Sequence, residues 1–204
     1  MTGMVRKALT IAAGLAVVAS VASAGVPDNR FSTSDAVVVG NVSGTAIGGT
    51  PAGFDVTVKD ATNAPLVGRT VTLDFSATPM VLLLAQNAGT TLNCAAKSIS
   101  RVTNGSGAVN FASRVAKFDN ANNVEVSAAG TPLFMVKGRS TDIDGLGAST
   151  GLGDFVIFSG NFLSNPAAQQ TDFDLNGNTG LGDFVVFSAQ FLGAVIGTYT
   201  PPCP

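Results

Sequence analysis

One stretch of the chain occurs twice, and this duplication constrains the fold more than any other feature. Thr150–Leu163 (TGLGDFVIFSGNFL) recurs 29 residues later as Thr179–Leu192 (TGLGDFVVFSAQFL). Eleven of the 14 positions are identical; only Ile157/Val186, Gly160/Ala189 and Asn161/Gln190 differ. Identity at that level reports duplication of one structural unit. In the first copy Phe155, Phe158 and Phe162 fall at i, i+3 and i+7, with Val156 and Leu163 beside them. Phe184, Phe187 and Phe191, with Val185 and Leu192, repeat the pattern. Each copy therefore predicts a short helix with one apolar face. Pro166 is expected to stop the first helix, and Gly193 suits the C′ position of the second. Helices this short cannot each bury such a face alone, so the duplication predicts that they pack on each other.

An acidic loop precedes each helix. In the second copy it runs Asp172-Phe173-Asp174-Leu175-Asn176-Gly177-Asn178 and closes on Asp183. With Asp172 as position 1, side-chain oxygens fall at positions 1, 3, 5 and 12. Gly177 falls at 6, and Asn178 at 7 can offer its backbone carbonyl. Hard oxygen donors, a glycine at a sharp turn and a carboxylate entering the next helix are the requirements of a calcium loop. The first loop, Asp142-Ile143-Asp144-Gly145-Leu146-Gly147 and then Asp154, is one residue longer and has no side-chain donor at its fifth position. The second loop is therefore expected to be the tighter site. The competing reading is an Asx-rich turn in which Asp154 and Asp183 cap the helices without a metal.

Charge points the same way. Gly25–Arg139 carries nine Lys and Arg against seven acids, whereas Ser140–Pro204 carries six Asp and no basic residue. All six are loop candidates: Asp142, Asp144, Asp154, Asp172, Asp174 and Asp183. Carboxylates clustered without cations repel, and a bound divalent ion resolves the conflict. The basic footprint of a nucleic-acid binder is missing.

The segment before the repeats reads as β-structure. Phe54, Val56 and Val58 alternate with polar residues, as do Val71, Leu73 and Phe75. Ile99 and Val102, Val109 and Phe111, Val124 and Val126, and Leu133–Val136 mark further strands. Ala36–Val39 and Val81–Leu84 read as more fully buried ones. Asp60–Pro65, Asn104–Gly107 and Asp119–Asn123 have turn compositions. Seven or eight short strands over this length fit an immunoglobulin-like β-sandwich. A jelly roll or a partly open barrel fits the periodicity nearly as well.

Met1–Ala24 has the order of a secretory signal. Arg6 and Lys7 precede the apolar and small run Ala8–Val21, and Ala22-Ser23-Ala24 is a small-x-small cleavage site. The run falls short of the roughly 20 apolar residues of a spanning helix. The expected mature chain is Gly25–Pro204, extracellular and without a membrane span. Cys94 and Cys203 are an even pair in an oxidising compartment, which permits one disulfide. Such a bridge would tie the polar, Pro-rich tail Gly197–Pro204 to the body of the protein.

Absences narrow the chemistry. The sequence has no His and no Trp, and one Tyr. Serine nucleophiles lose their usual base, and His-ligated metals are excluded. Asp55, Asp60, Asp74, Asp119 and Glu125 could in principle pair for glycoside hydrolysis. Their positions on strand surfaces or in turns instead predict solvated charges. No enzymatic activity is expected.

Two family resemblances follow from these residues. Phe54–Ala61, Pro65–Gly68, Val71–Leu73 and Thr103–Val109 resemble bacterial invasin/intimin-type Ig-like domains, which implies a sandwich used as spacer or adhesion module over 25–139. The two loops with Phe155–Leu163 and Phe184–Leu192 resemble a dockerin over 140–193, leaving 194–204 as a tail. That resemblance implies calcium held by Asp172, Asp174, Asn176, Asn178 and Asp183, and by Asp142, Asp144 and Asp154. It also implies an extracellular, cohesin-like protein partner. Leu181-Gly182 and Leu152-Gly153 stand at the two positions before the last Asp that help choose the partner in dockerins. The expected function is a secreted, non-catalytic interaction protein that docks an Ig-like domain to its partner. Two alternatives stand beside it: an adhesion protein that its calcium repeats only stabilise, and an accessory of an extracellular polysaccharide-degrading system.

Overall fold

The structure is a computed structural model that describes residues 25–40, 53–78, 81–117, 123–146, 150–164, 170–191 and 203. The expected signal Met1–Ala24 lies outside them. So do most of the turn Asp119–Asn123, Pro166, Leu192, Gly193 and the tail apart from Cys203. Among the described residues no helix is long and apolar enough to cross a membrane.

The chain is mainly β, and its sheets form a sandwich-like arrangement. One sheet has three strands in the order β1 (Thr33–Ser34), β3 (Phe54–Thr57), β8 (Ala108–Phe111). The other has six, in the order β2 (Val37–Gly40), β11 (Thr131–Ser140), β10 (Asn123–Ala128), β4 (Thr70–Asp74), β7 (Ser98–Val102), β6 (Thr91–Asn93). A small pair joins β5 (Leu82–Leu83) to β9 (Val115–Ala116). All pairings are antiparallel except that of β2 with β11. The first strand thus splits between the sheets, β1 to the small one and β2 to the large one.

Alternation explains the core. Phe54, Val56, Val109 and Phe111 from the small sheet share one buried cluster with Val71, Leu73, Ile99, Val124, Val126 and Val136 from the large one. The registers Leu73↔Ile99 and Leu73↔Val126 place these side chains on the same face. Burying each is worth about 1.5–3 kcal/mol. The polar partners face outward, as in the pattern Phe54 buried, Asp55 exposed, Val56 buried.

Several sequence expectations are corrected. Ala36–Val39 is not a fully buried strand: β2 alternates, with Val38 and Gly40 inside and Val37 and Val39 half-buried. Val81, Leu83 and Leu84 are buried and Leu82 is half-buried, and only Leu82–Leu83 pairs as strand. β1, β6 and β9 carry too few apolar residues to be recognised by period. Asp60 is not a solvated turn charge; it is 3% exposed and its carboxylate holds its own turn together.

β11 continues for ten residues to Ser140 and delivers the chain directly into the first acidic loop. Two short helices follow: α1 (Leu152–Asn161) and α2 (Leu181–Ser188). α1 ends at Asn161, five residues before Pro166, with Leu163 in the left-handed region at φ 65°. α2 ends at Ser188, before Gly193 could cap it. A second cluster forms around the helices from Ile143, Phe158, Phe173, Val186 and Phe187, with Val39 of the sandwich packed against it. Cys94 and Cys203 are joined in a disulfide, their Cα atoms 4.8 Å apart. Cys203 is buried in the sandwich core, so the bridge returns the C-terminal end to the β-body.

Candidate metal centres

Each repeat builds its site from a loop pinned at its base and a helix entered through glycine. Thr141 and Thr150 join their hydroxyls at 2.9 Å across the first loop; Thr171 and Thr179 do so at 2.8 Å across the second. Residue 2 of each loop, Ile143 or Phe173, turns inward to the helical core. The acidic residues on either side of it turn the other way. These threonines and inward residues were not singled out from the sequence. The repeated pattern Thr-Asp-apolar-Asp, at Thr141–Asp144 and Thr171–Asp174, is the signal that carried them.

The fold brings together all six aspartates. Carboxylate oxygens of Asp142, Asp144 and Asp154 lie within 4.8 Å of one another, and so do those of Asp172, Asp174 and Asp183. Among the described residues these are the two groups of acids placed to hold an ion. Asp55 instead accepts a hydrogen bond from Asn110, and among the described residues no other surface acid joins a cluster.

The last aspartate of each loop serves the backbone. Asp154 Oδ1 accepts from the Ile143 and Asp144 amides at 2.5 and 2.9 Å, and Oδ2 from Gly151 at 2.7 Å. Asp183 repeats this with Phe173, Asp174 and Gly180 at 2.6, 3.3 and 2.8 Å. One bond of each set is the reach back from helix residue N3 to the N–H of the N-cap glycine, Gly151 or Gly180, and the other two tie the loop to the helix. Oδ1 of each is taken up by two donors, whereas Oδ2, with one, keeps lone-pair capacity for a cation.

The other expected donors differ in their engagement. Asp172 accepts from the Asn176 and Gly177 amides at 3.1 and 3.2 Å. Asn176 donates its side-chain amide to Asp174 Oδ2 at 2.9 Å. Asn178 is exposed and donates its backbone N–H to Asn176 Oδ1 at 2.8 Å. Gly177 has φ +86°, the left-handed turn expected of position 6. Asp142 is fully buried; Oδ1 accepts from Gly145 at 2.8 Å, and Oδ2 has no hydrogen-bond partner.

That orphaned oxygen is the test of whether a cation fits. A buried carboxylate oxygen without a donor is costly, and a positive ion beside Asp144 and Asp154 would satisfy it. Burial first, and then the Asp154 carboxylate, push Asp142 up to about 7. Burial likewise raises Asp154 and Asp172 above the ordinary carboxylate range. The glycine before each closing Asp leaves room for the cluster. A Cβ on Gly182 would stand 2.6 Å from Asp174 Oδ2, and one on Gly153 would collide with Asp144. The donor set is all oxygen, which suits a hard divalent cation. Such an ion would bring charge neutralisation and loop order, not a reactive group.

The helices meet through phenylalanine. Phe158 stacks on Phe187 with centroids 4.6 Å apart, and Phe155 reaches Phe191 at 5.2 Å. The contact has approximate two-fold character. Thr150 bridges Phe191, while Thr179 exchanges backbone hydrogen bonds with Leu163 and Ser164 at 2.7 and 3.2 Å. Only part of each expected apolar face is covered. Phe158 and Phe187 are buried, but Leu152, Val156, Leu163, Leu181 and Val185 are exposed, and Phe155 and Phe184 are 39% and 42% exposed. Phe155, Phe158, Ser159, Phe162, Leu181 and Phe184 line an open groove of about 320 Å³ between the helices.

The loops also rest on the sandwich. Lys117 donates its backbone N–H to Asp142 O at 2.9 Å, and Ser140 donates its hydroxyl to Val115 O at 2.8 Å. Buried Arg139, at the end of β11, donates Nε–H to Asp172 O at 3.1 Å, so one side chain joins the β-body to the second loop. No protein-family model, curated protein or solved structure matches this chain.

Proposed function

We propose that the protein is a secreted, non-catalytic interaction protein in which two calcium ions order a dockerin-like module, carried on an Ig-like sandwich, for docking to an extracellular protein. Asp172, Asp174, Asn176, Asn178 and Asp183 would hold one ion, and Asp142, Asp144 and Asp154 the other. The observation that carries the calcium reading is the fully buried Asp142 with its unpartnered Oδ2 beside two further carboxylates. Docking is supported by the apolar residues that both helices leave outside, Leu152 and Val156 on one and Leu181 and Val185 on the other. A cohesin-like protein with an apolar surface is the partner this face fits.

The test is capture from the native secretome in calcium and in chelator, followed by identification and calorimetric binding of the purified partner. Binding that needs calcium and is lost in Leu181→Asp/Val185→Asp supports docking. Binding that survives both changes would sink it.

A second reading has its own observation. The bonds from Lys117, Ser140 and Arg139 fix the loops to the β-body, as expected if the repeats cap and stabilise an adhesion sandwich. In that case chelator lowers the melting temperature, and substitutions on the helix face change nothing.

A further inference from the structure

The carboxylate of Asp60 is buried and divided between two tasks. Oδ1 accepts from Thr62 N, Thr62 Oγ1 and Ala64 N at 2.9, 2.6 and 3.0 Å, which holds the Asp60–Pro65 turn. Oδ2 accepts from the backbone nitrogen of Gly25 at 3.2 Å, its one partner among the described residues. No lysine or arginine among them forms an ion pair with it. Half of a carboxylate that is 3% exposed thus faces a single nitrogen. That nitrogen belongs to the residue after the small-x-small sequence Ala22-Ser23-Ala24.

The surroundings fix Gly25 in place. Pro27 bridges Asp60, and Asp28 donates to Lys59 O at 2.9 Å, so the segment lies along the Lys59–Asp60 edge. A Cβ at Gly25 would stand 3.2 Å from the Arg69 guanidinium, so a larger residue there would press on that side chain.

We propose that the Ala24–Gly25 bond is a processing site whose new terminus, the α-ammonium of Gly25, becomes the ionic partner of buried Asp60. This rests on reading Met1–Ala24 as a signal peptide. A signal peptidase adds water across the peptide bond, leaving a carboxylate on Ala24 and an ammonium on Gly25. The nitrogen facing Oδ2 changes from a neutral amide with one hydrogen to a cation with three. Charge-assisted hydrogen bonds are shorter and roughly twice as strong as neutral ones. Arg69 is a like charge beside the new terminus; Lys59 is turned away, its Nζ donating to Asn63. Maturation thereby locks the N-terminal segment onto the sandwich, and the precursor lacks this ion pair.

The first measurement is N-terminal sequencing of the secreted protein. A start other than Gly25 overturns the processing site, and the proposal with it. Pairing is then measured in saturating calcium on purified chains that begin at Gly25 or at an added Ala24, each with Asp60 or with Asp60→Asn. The Gly25 chain is expected to melt about 2–4 °C above the Ala24 chain, with Asp60→Asn removing the difference. Equal melting of the two Asp60 chains overturns the pairing, even where the cleavage is right. Where the Asp60→Asn chains do not fold, the amine itself reports. Acylation of the Gly25 α-amine at neutral pH is expected to be several-fold slower in the folded chain than in denaturant, with no such slowing for the Ala24 terminus. Equal slowing of both termini overturns the proposal.

Discussion

At the scale of residues, the two loops separate what each aspartate does. Asp154 and Asp183 are satisfied by backbone donors, whereas Asp142 is buried with one oxygen unpartnered. Replacing Asp142 by Asn removes a buried negative charge and leaves a weaker, neutral oxygen donor in its place. Asp142→Asn is therefore expected to raise the melting temperature in chelator and lower it in calcium, as read by calorimetry in both buffers. A fall in both would mean that the carboxylate stabilises the fold without an ion. Loop position 4 gives a second contrast. It is Gly145 at φ +70° in the first loop and Leu175 at φ +59° in the second. A left-handed leucine costs about 1–2 kcal/mol, so Leu175→Gly is expected to raise the melting temperature by about 2–4 °C in a chain of this size. No rise would mean that packing of the leucine offsets the strain. The spacing in the sequence displayed all six clustered aspartates. It concealed the orphaned oxygen, because burial of Asp142 arises from Lys117 and Ser140 at the sandwich edge.

At the scale of elements, legibility followed the number of apolar residues that share a period. β3, β4 and β10 alternate cleanly and were readable; β1 has only Thr33 and Ser34, and β6 has Leu92 between two polar residues. The helices were readable from their phenylalanines, but not which side each would bury. Val156 and Val185 look like core by composition and lie outside, while Phe173 and Ile143 enter the core from the loops. A face chosen by period alone could not anticipate residues contributed from outside the helix. Phe158 and Phe187 sit at the centre, each about 1% exposed and stacked together. Truncating a buried Phe to Ala costs about 3–5 kcal/mol, a large share of what so small a module can hold. Phe158→Ala is expected to expose the amides of both helices to hydrogen exchange while the β4–β10 ladder keeps its protection. Retained protection in α2 would show that the second helix is held by the sandwich and not by its partner.

At the scale of the whole molecule, two cores of unequal size share one chain, and they depend on different things. The sandwich cluster draws on both sheets and is closed by the disulfide, whose 109-residue separation is worth about 4–5 kcal/mol in the chain-entropy account. Among the described residues the helical cluster has five buried members, and six carboxylates stand beside it in two groups. A core of that size is marginal without a further source of stability. An ion bound only in the folded state adds its binding free energy to that state. Removing it returns the repulsion among the carboxylates and the cost of buried Asp142. Among its described residues the sandwich holds no comparable acid cluster, and its core is expected to fold without the ion. Among the described residues the two are joined by hydrogen bonds from Lys117, Ser140, Arg139 and Thr141 and by Val39, which packs on the helical cluster. Chelator is therefore expected to raise amide exchange in α1, α2 and both loops, with a smaller rise at Lys117 and Ser140. The registers of β4, β7 and β10 keep their protection. Restoring calcium reverses the change, and the Asp172 loop recovers at the lower concentration because it has the additional side-chain donor Asn176. If both helices exchange equally slowly in excess chelator and in calcium, the aspartates are helix caps and turn formers only, and the calcium reading falls with the docking that depends on it.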